Sequence, residues 1–147
     1  MNTAKRILLA EDSTNDAELT LLALAEQDLA GNVTRVCDGA EALEHLARAA
    51  GNAGQDTRPA VVLLDIKMPK VGGLEVLRRI RADERLRTVP VVMLTSSRED
   101  RDVAESYRLG ANAYVVKPLD FDEYLAAVRK VWEFWAEVNE VASPSPR

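Results

Sequence analysis

A short apolar run near the middle of the chain constrains the fold most strongly. Residues 60–64 read Ala-Val-Val-Leu-Leu without a polar break, and Asp65 follows at once. A run this short and this rich in Val and Leu is typical of a strand buried on both faces, as in a parallel sheet. In open α/β sheets, ligands bind at the carboxyl ends of the strands. Asp65 is therefore the first candidate for a functional residue.

Strand-like segments alternate with helical patterns five times along the sequence. The strand-like segments are residues 5–10, 33–37, 60–64, 89–95 and 113–118. Polarity alternates in the second segment, which predicts a more exposed strand, whereas the other four are predicted to be buried. The pattern predicts an α/β fold, a doubly wound parallel sheet with right-handed crossovers and helices on both faces. We expect a single domain over residues 1–139 and a flexible polar tail over residues 140–147.

The composition argues against several classes of site. The chain has 147 residues and a net charge of −5, with one cysteine (Cys37) and one histidine (His45). A nucleic-acid surface would need clustered Lys and Arg, and catalytic triads or zinc sites need more His or Cys than this. No apolar run approaches the roughly 20 residues of a membrane span, and no signal-peptide pattern follows Lys5 and Arg6. We therefore expect a cytoplasmic protein that binds neither nucleic acid nor membrane.

Polar side chains follow four of the predicted strands at one edge of the sheet. They are Glu11 and Asp12 after the first strand, Asp65 after the third, Thr95 at the end of the fourth and Lys117 in the last. Three neighbouring carboxylates repel one another and favour a hard divalent cation such as Mg²⁺. A hydroxyl and an ammonium can bind the phosphate oxygens that the metal leaves free. A carboxylate between metal and lysine can attack phosphorus and form an aspartyl phosphate.

This set of residues, together with Pro118, resembles the receiver domain of bacterial two-component response regulators (CheY-like). The resemblance covers about residues 5–131 of the chain. It implies the flavodoxin-like (βα)5 fold, a five-stranded parallel sheet with strand order 2-1-3-4-5. The implied function is phosphorelay signal transduction by a protein that is not an enzyme in the usual sense. Such a domain catalyses its own Mg-dependent phosphorylation and loses the phosphoryl group slowly.

The same resemblance implies how the phosphoryl group is received and sensed. Asp65 accepts it from a sensor histidine kinase, and Thr95 and Lys117 bind its oxygens. The peptide between Lys117 and Pro118 is expected to be cis, which aims the lysine inward. Tyr114 matches the aromatic residue that turns inward when the threonine moves onto the phosphate. Thr95 and Tyr114 are therefore expected to form a switch.

The resemblance also implies the metal ligands. Asp12, Asp65 and the backbone carbonyl of Lys67 ligate Mg²⁺, while Glu11 acts largely through metal-bound water. The side chains of Lys67 and Ser97 flank the route of the attacking water, so they are expected to tune the lifetime of the phosphoryl group.

Three alternatives share parts of this pattern. An aspartate-nucleophile phosphatase needs a second aspartate two residues after the nucleophile as acid and base, but Lys67 occupies that position. A flavin-binding module of the same fold needs a hydroxyl- and amide-rich phosphate loop after the first strand, where Glu11 and Asp12 would repel the phosphate. The third alternative is a receiver-shaped interaction protein that is never phosphorylated.

An apolar segment continues beyond the length that a receiver core needs. Residues 130–141 contain Trp132, Phe134, Trp135 and Val138, in a chain with only 5% aromatic residues. Apolar surface beyond a completed core usually marks an interface, so these four residues are candidates for a homodimer interface. No effector domain follows the last helix, so we expect output through contact with a downstream protein or phosphotransfer partner.

A finer resemblance concerns the class of kinase. Asp16, the loop before Pro59, residues 106–112 and the pair Phe134 and Trp135 are similar to single-domain response regulators paired with bacterial phytochromes. This resemblance implies a bacteriophytochrome as the partner kinase. It also implies homodimers formed through the last helices and the tail.

Overall fold

Five parallel strands form one sheet in the computed structural model, which describes residues 5–26, 32–51 and 57–142. The strands run in the order β2-β1-β3-β4-β5. Their bounds are β1 Ile7–Ala10, β2 Val33–Val36, β3 Val61–Leu64, β4 Val91–Thr95 and β5 Ala113–Val116. This architecture confirms the predicted doubly wound (βα)5 fold and its strand order.

A helix follows each strand. The bounds are α1 Thr14–Ala25, α2 Gly39–Gly51, α3 Gly73–Ala82, α4 Asp100–Arg108 and α5 Phe121–Trp132. The side chains of Ser13 and Asp120 cap the first and last of these helices by accepting backbone N–H bonds, which fixes where each helix begins. Within the described parts of the chain, no helix is both long enough and apolar enough to cross a membrane.

The central strands divide their side chains between two hydrophobic clusters, one on each face of the sheet. On β1, Ile7 and Leu9 pack against α1 and α5, while Leu8 and Ala10 pack against α2 and α3. The strand β3 alternates in the same way. Successive side chains of a strand point to opposite faces. A strand that is covered on both faces therefore needs an apolar residue at every position. This requirement explains the unbroken run before Asp65.

The two outer strands are less buried than the inner three. The exposed character predicted for β2 is confirmed. The prediction that β5 is buried was wrong, because all four of its residues are only partly covered. This strand pairs with β4 alone and lies at the edge of the sheet. An apolar run such as Ala-Tyr-Val-Val therefore fits an edge strand as well as a central one.

The four apolar residues predicted to form an interface differ in their exposure. The helix α5 ends at Trp132, and a π-helical segment covers Glu133–Val138. Trp132 is 4% exposed and belongs to the core, so its assignment to a dimer interface was wrong. Trp135 is half-buried against the same core, whereas Phe134 is 50% exposed and Val138 is 66% exposed.

The helical geometry explains this difference. Continued α-helical spacing predicts an apolar stripe through Trp132, Trp135 and Val138. In the π-helical segment the backbone N–H of Asn139 instead donates to the carbonyl oxygen of Phe134, five residues earlier, at 2.7 Å. Ala136 is the buried residue of this segment, and Val138 faces solvent. The predicted loop over residues 51–59 and the tail over residues 140–147 fall largely outside the described residues.

Substitution of Trp132 tests how the C-terminal segment is held. Its indole N–H finds no hydrogen-bond partner among the described residues. Trp132→Phe removes this buried donor and keeps most of the ring, so we expect it to lower the free energy of unfolding by less than about 1 kcal/mol. Trp132→Ala should leave a cavity and cost about 3–5 kcal/mol. Denaturant unfolding followed by circular dichroism measures both, and equal costs for the two variants would contradict this account.

Candidate functional site

The residues predicted from the strand ends meet at the carboxyl edge of the sheet. The strand register places Ala10 beside Leu64 and Thr95 beside Val116. Glu11 and Asp65 therefore leave neighbouring strands side by side, and Lys117, next to Thr95, leaves β5 on the far side of β4. All three are buried, as is Thr95, whereas Asp12 is exposed. The tertiary structure thus brings together side chains that are up to 106 positions apart in the sequence.

The ammonium of Lys117 connects the carboxylates of this site. Its ammonium donates hydrogen bonds to Glu11 Oε1 at 2.6 Å, to Asp65 Oδ2 at 2.8 Å and to Asp16 Oδ2 at 2.8 Å. Burial lowers the pKa of Lys117, but these three carboxylate bonds outweigh burial and raise the pKa above its ordinary value. Lys117 therefore stays charged. An ammonium has three N–H donors, and each is used here.

An acidic cluster lies beside the lysine. Glu11, Asp12 and Asp65 each place a carboxylate oxygen within 4.8 Å of the others. Burial raises the pKa of Glu11 to about 7, with a further contribution from the charge of Asp65, while the hydrogen bond from Lys117 opposes the rise. One ammonium thus compensates these carboxylates only in part. A set of oxygen donors with excess negative charge fits Mg²⁺ or another hard divalent cation.

Three hydrogen bonds to its backbone fix the position of Glu11. Its N–H donates to the carbonyl oxygen of Val36 at 3.1 Å. Its carbonyl oxygen accepts two bonds from the Arg35 guanidinium, at 3.0 Å from Nε and 2.8 Å from Nη2. Nothing in the sequence indicates this role for Arg35, because an arginine on a half-exposed strand is usually a solvated residue.

The loop after Asp65 turns back tightly on the chain that leaves β3. The N–H of Gly73 donates to the carbonyl oxygen of Ile66 at 2.8 Å. A Cβ atom at Gly73 would lie 2.0 Å from the carbonyl oxygen of Asp65, so a side chain there would displace the backbone that carries Asp65. Lys67 is exposed in this loop. Its carbonyl as a metal ligand stays a prediction.

Thr95 and Tyr114 both contact Ser97. Thr95 Oγ1 accepts a bond from the N–H of Ser97 at 3.4 Å, and the Tyr114 hydroxyl donates to the Ser97 carbonyl oxygen at 3.0 Å. The Ser97 hydroxyl in turn donates to Asp102 Oδ2 at 2.6 Å on α4. Burial raises the pKa of Tyr114, which therefore keeps its donor proton at neutral pH. The loop between β4 and α4 is thus joined to both residues of the predicted switch.

The predicted cis peptide between Lys117 and Pro118 was wrong, since no peptide bond in the described residues is cis. The lysine reaches its three carboxylate partners with a trans peptide, which an X–Pro bond favours by about 0.5–1 kcal/mol. Two kinds of contact direct this residue inward. Its ammonium donates to the three carboxylates, and its backbone N–H donates to the carbonyl oxygen of Thr95 at 2.8 Å.

Comparison with known families decides the class of the protein. Residues 7–129 match the family model described as the response regulator receiver domain. The chain belongs to this family. The family assignment and the sheet topology together identify the protein as a CheY-like receiver of two-component signalling.

Relatives cover nearly the whole receiver chain. It is 39% identical over 140 residues to the probable methanogenesis regulatory protein FilR2 of Methanothrix harundinacea (strain 6Ac), covering 95% of this chain and 88% of that protein. The phosphorylated cyanobacterial phytochrome response regulator RcpA matches with a TM-score of 0.86 and 35% identity, covering 96% and 100% of the two chains. The bacteriophytochrome response regulator RtBRR matches with a TM-score of 0.71 and 51% identity, covering 98% and 86%. The Mn²⁺-bound form of the response regulator Rcp1 matches with a TM-score of 0.80 and 32% identity, covering 95% and 99%.

Adjacent glycines allow a matched test of the loop after Asp65. We expect Gly73→Ala to cost about 1–3 kcal/mol of stability, because its new Cβ atom would overlap the carbonyl oxygen of Asp65. At Gly72 a Cβ atom would meet only the carbonyl oxygen of Ile66, at an ordinary 3.5 Å. Gly72→Ala should therefore stay within about 1 kcal/mol of wild type. Thermal and denaturant unfolding of both variants checks the difference, and a Gly73→Ala protein as stable as Gly72→Ala would disprove it.

Proposed function

We propose that this receiver is a single-domain response regulator that accepts a phosphoryl group on Asp65 with the help of Mg²⁺. The observation that carries this proposal is the hydrogen bond between Asp65 and Lys117, formed directly beside the acidic cluster. Asp65 Oδ2 is held by the ammonium, and its carboxylate also belongs to the cluster. An oxygen nucleophile between a cation site and a lysine suits phosphoryl transfer.

The proposed reaction balances without a further reactant. A carboxylate oxygen of Asp65 forms a bond to phosphorus while the P–N bond of a phosphohistidine breaks, and the electron pair of that bond returns to the imidazole. Lys117 and Thr95 bind oxygens of the transferred group. Glu11, Asp12, Asp65 and the carbonyl of Lys67 are the proposed Mg²⁺ ligands, Glu11 largely through water. When bound, Mg²⁺ supplies positive charge that offsets the charge developing on the phosphoryl oxygens.

The contacts at Ser97 support a switch between Thr95 and Tyr114. If the Thr95 hydroxyl moves onto a phosphoryl oxygen, its bond with the N–H of Ser97 at 3.4 Å is lost. Tyr114 is bonded to the carbonyl oxygen of the same residue. A shift of Ser97 would therefore change the position of Tyr114 at the edge of the sheet.

The phosphatase alternative lacks support from the loop after Asp65. Lys67 stands two residues beyond Asp65, where that chemistry needs a carboxylic acid as proton donor. A slow loss of the phosphoryl group by water attack remains compatible with the site, and the side chains of Lys67 and Ser97 are the proposed determinants of its rate.

We propose a sensor histidine kinase as phosphoryl donor, and a bacteriophytochrome as the specific class. Similarity to RcpA and RtBRR, whose names assign them to phytochrome systems, supports this choice. Output would then occur by contact with a downstream protein or phosphotransfer partner. The cytoplasmic location stays a prediction from the sequence.

We further propose a homodimer through the end of α5 and the segment Glu133–Val138. Phe134 and Val138 leave apolar surface exposed there, and the ring of Phe134 stacks edge-on against that of Trp135 at 4.9 Å between centroids. Aromatic residues of this kind often anchor interfaces.

Phosphoryl uptake is tested by incubating the protein with acetyl phosphate and Mg²⁺ and measuring the intact mass. We expect a mass increase of one HPO₃ group. The increase should disappear in Asp65→Asn, which lacks the nucleophilic oxygen, and after removal of divalent cations with EDTA. Absence of the adduct in wild type, or its persistence in Asp65→Asn, would overturn the proposal.

The dimer is tested by light scattering at tens of micromolar protein. Wild type is expected to be dimeric, and Phe134→Glu is expected to be monomeric because it places a charge in the proposed interface. Phe121→Glu is the matched control, since Phe121 is equally exposed at the opposite end of α5. A monomeric wild type, or equal dissociation by both substitutions, would rule out this interface.

A further inference from the structure

Asp16 binds the ammonium of Lys117 from outside the acidic cluster. It lies in the first turn of α1, and its side chain is 32% exposed. Its Oδ2 accepts a hydrogen bond of 2.8 Å from Lys117 Nζ. Among the described residues, the cluster consists of Glu11, Asp12 and Asp65 and does not include Asp16. Lys117 thus has two partners inside the cluster and one outside it.

Hydrogen bonds at the start of α1 hold Asp16 in this position. The N–H of Asp16 donates to Ser13 Oγ at 3.2 Å, and the N–H of Ser13 donates to Glu11 Oε2 at 3.1 Å. Glu11 Oε1 accepts from Lys117, which also donates to Asp16. These four residues form a closed ring. The carboxylate of Asp16 is therefore placed by the cap of the helix and by the same glutamate that the lysine binds.

A second set of contacts anchors the backbone of Asp16 from the α5 side. Its carbonyl oxygen accepts a bond of 2.9 Å from the hydroxyl of Thr20. The hydroxyl of Tyr124 on α5 lies 3.1 Å from Thr20 Oγ1 and 3.4 Å from the Asp16 carbonyl oxygen. Thr20 and Tyr124 are buried. The first turn of α1 is thus fixed against α5 at the point where Asp16 meets the lysine.

The number of donors on Lys117 gives Asp16 a distinct role. The ammonium has three N–H donors, and Glu11, Asp16 and Asp65 accept them. Binding to a phosphoryl oxygen requires the release of one. In the proposed function, the oxygens of Glu11 and Asp65 turn toward the cation and the phosphoryl group. Asp16 has no such competing role, so its bond to the ammonium can persist.

Resting on the proposed function of Asp65, we propose that Asp16 is a positioning residue for phosphoryl transfer. It holds Lys117 in place while the lysine exchanges a bond to Glu11 or Asp65 for a bond to the phosphoryl group. It acts through the lysine and does not contact the reacting atoms itself.

Three variants test this role in the full-length protein. Asp16→Ala removes the acceptor, and Asp16→Asn keeps an acceptor oxygen but removes the charge. Glu18→Ala removes one carboxylate from an exposed position of the same helix and serves as the control. The rate constant for phosphorylation is measured with acetyl phosphate at saturating Mg²⁺, and Mg²⁺ affinity is measured by calorimetry. The ¹⁵N NMR signal of the Lys117 ammonium is recorded in the unphosphorylated protein.

We expect Asp16→Ala to lower the rate constant by about tenfold, the loss of one charge-assisted hydrogen bond. The rate constant of Asp16→Asn should lie between those of Asp16→Ala and wild type, and the rate constant of Glu18→Ala should match that of wild type. Mg²⁺ affinity should change by less than about threefold. The Lys117 signal, protected from exchange in wild type, should broaden in Asp16→Ala.

Other outcomes would overturn the role of Asp16. One is an unchanged rate constant and Lys117 signal in Asp16→Ala. Another is an equal loss in Glu18→Ala, which would indicate a general charge effect. A fall in Mg²⁺ affinity well beyond about threefold would show that Asp16 acts through the metal. If wild type takes up no phosphoryl group, the proposed function fails, while the Lys117 signal still decides whether Asp16 holds the lysine.

Discussion

The ion pairs of Lys117 determine how the functional edge of this receiver is built. Glu11 and Asp65 are buried where two central strands end, and buried carboxylates are costly unless they are paired and hydrogen-bonded. Lys117 provides this pairing from the end of the edge strand β5, so the site joins the middle of the sheet to its periphery. One ammonium compensates the carboxylates only in part, and the remaining negative charge suits a divalent cation. The imbalance that makes the site costly to fold is therefore also what favours the proposed cation.

The site combines rigid and adjustable parts. Asp65 and Glu11 follow strands whose side chains are buried on both faces, and tight backbone contacts at Gly73 and Arg35 fix the chain on either side. The other half rests on the loop after β4 and on the half-exposed strand β5. The loop is held by polar contacts, as at Ser97, and the residues of β5 are only partly buried. Regions with few buried apolar contacts rearrange at a low cost in free energy. The division places the proposed phosphoacceptor, Asp65, on the rigid side and the proposed switch on the adjustable side.

Much of this arrangement follows from the sequence by itself. The unbroken apolar runs require strands covered on both faces, and the alternation with helical patterns then allows few topologies. Because strands of a parallel sheet end at a common edge, the residues directly after them predicted the site: Glu11, Asp65, Thr95 and Lys117. This reasoning did not identify Asp16 as a partner of Lys117, or Arg35 as a partner of Glu11. They lie on a helix and on a half-exposed strand, and nothing local distinguishes them from solvated charges.

Only the tertiary structure decided which apolar residues are covered and how the lysine is directed. Ala136 is buried and Val138 is exposed because helical hydrogen bonding changes after Trp132, which residue spacing cannot show. The strand β5 is half-exposed because it has one neighbour, although its residues are as apolar as those of a central strand. The peptide before Pro118 is trans, and three carboxylates distant from the lysine in the sequence orient its side chain. The sequence by itself thus determined the strands and the chemistry at their ends, because both are local properties. Burial, partners and orientation depend on contacts between distant segments, which exist only in the folded chain.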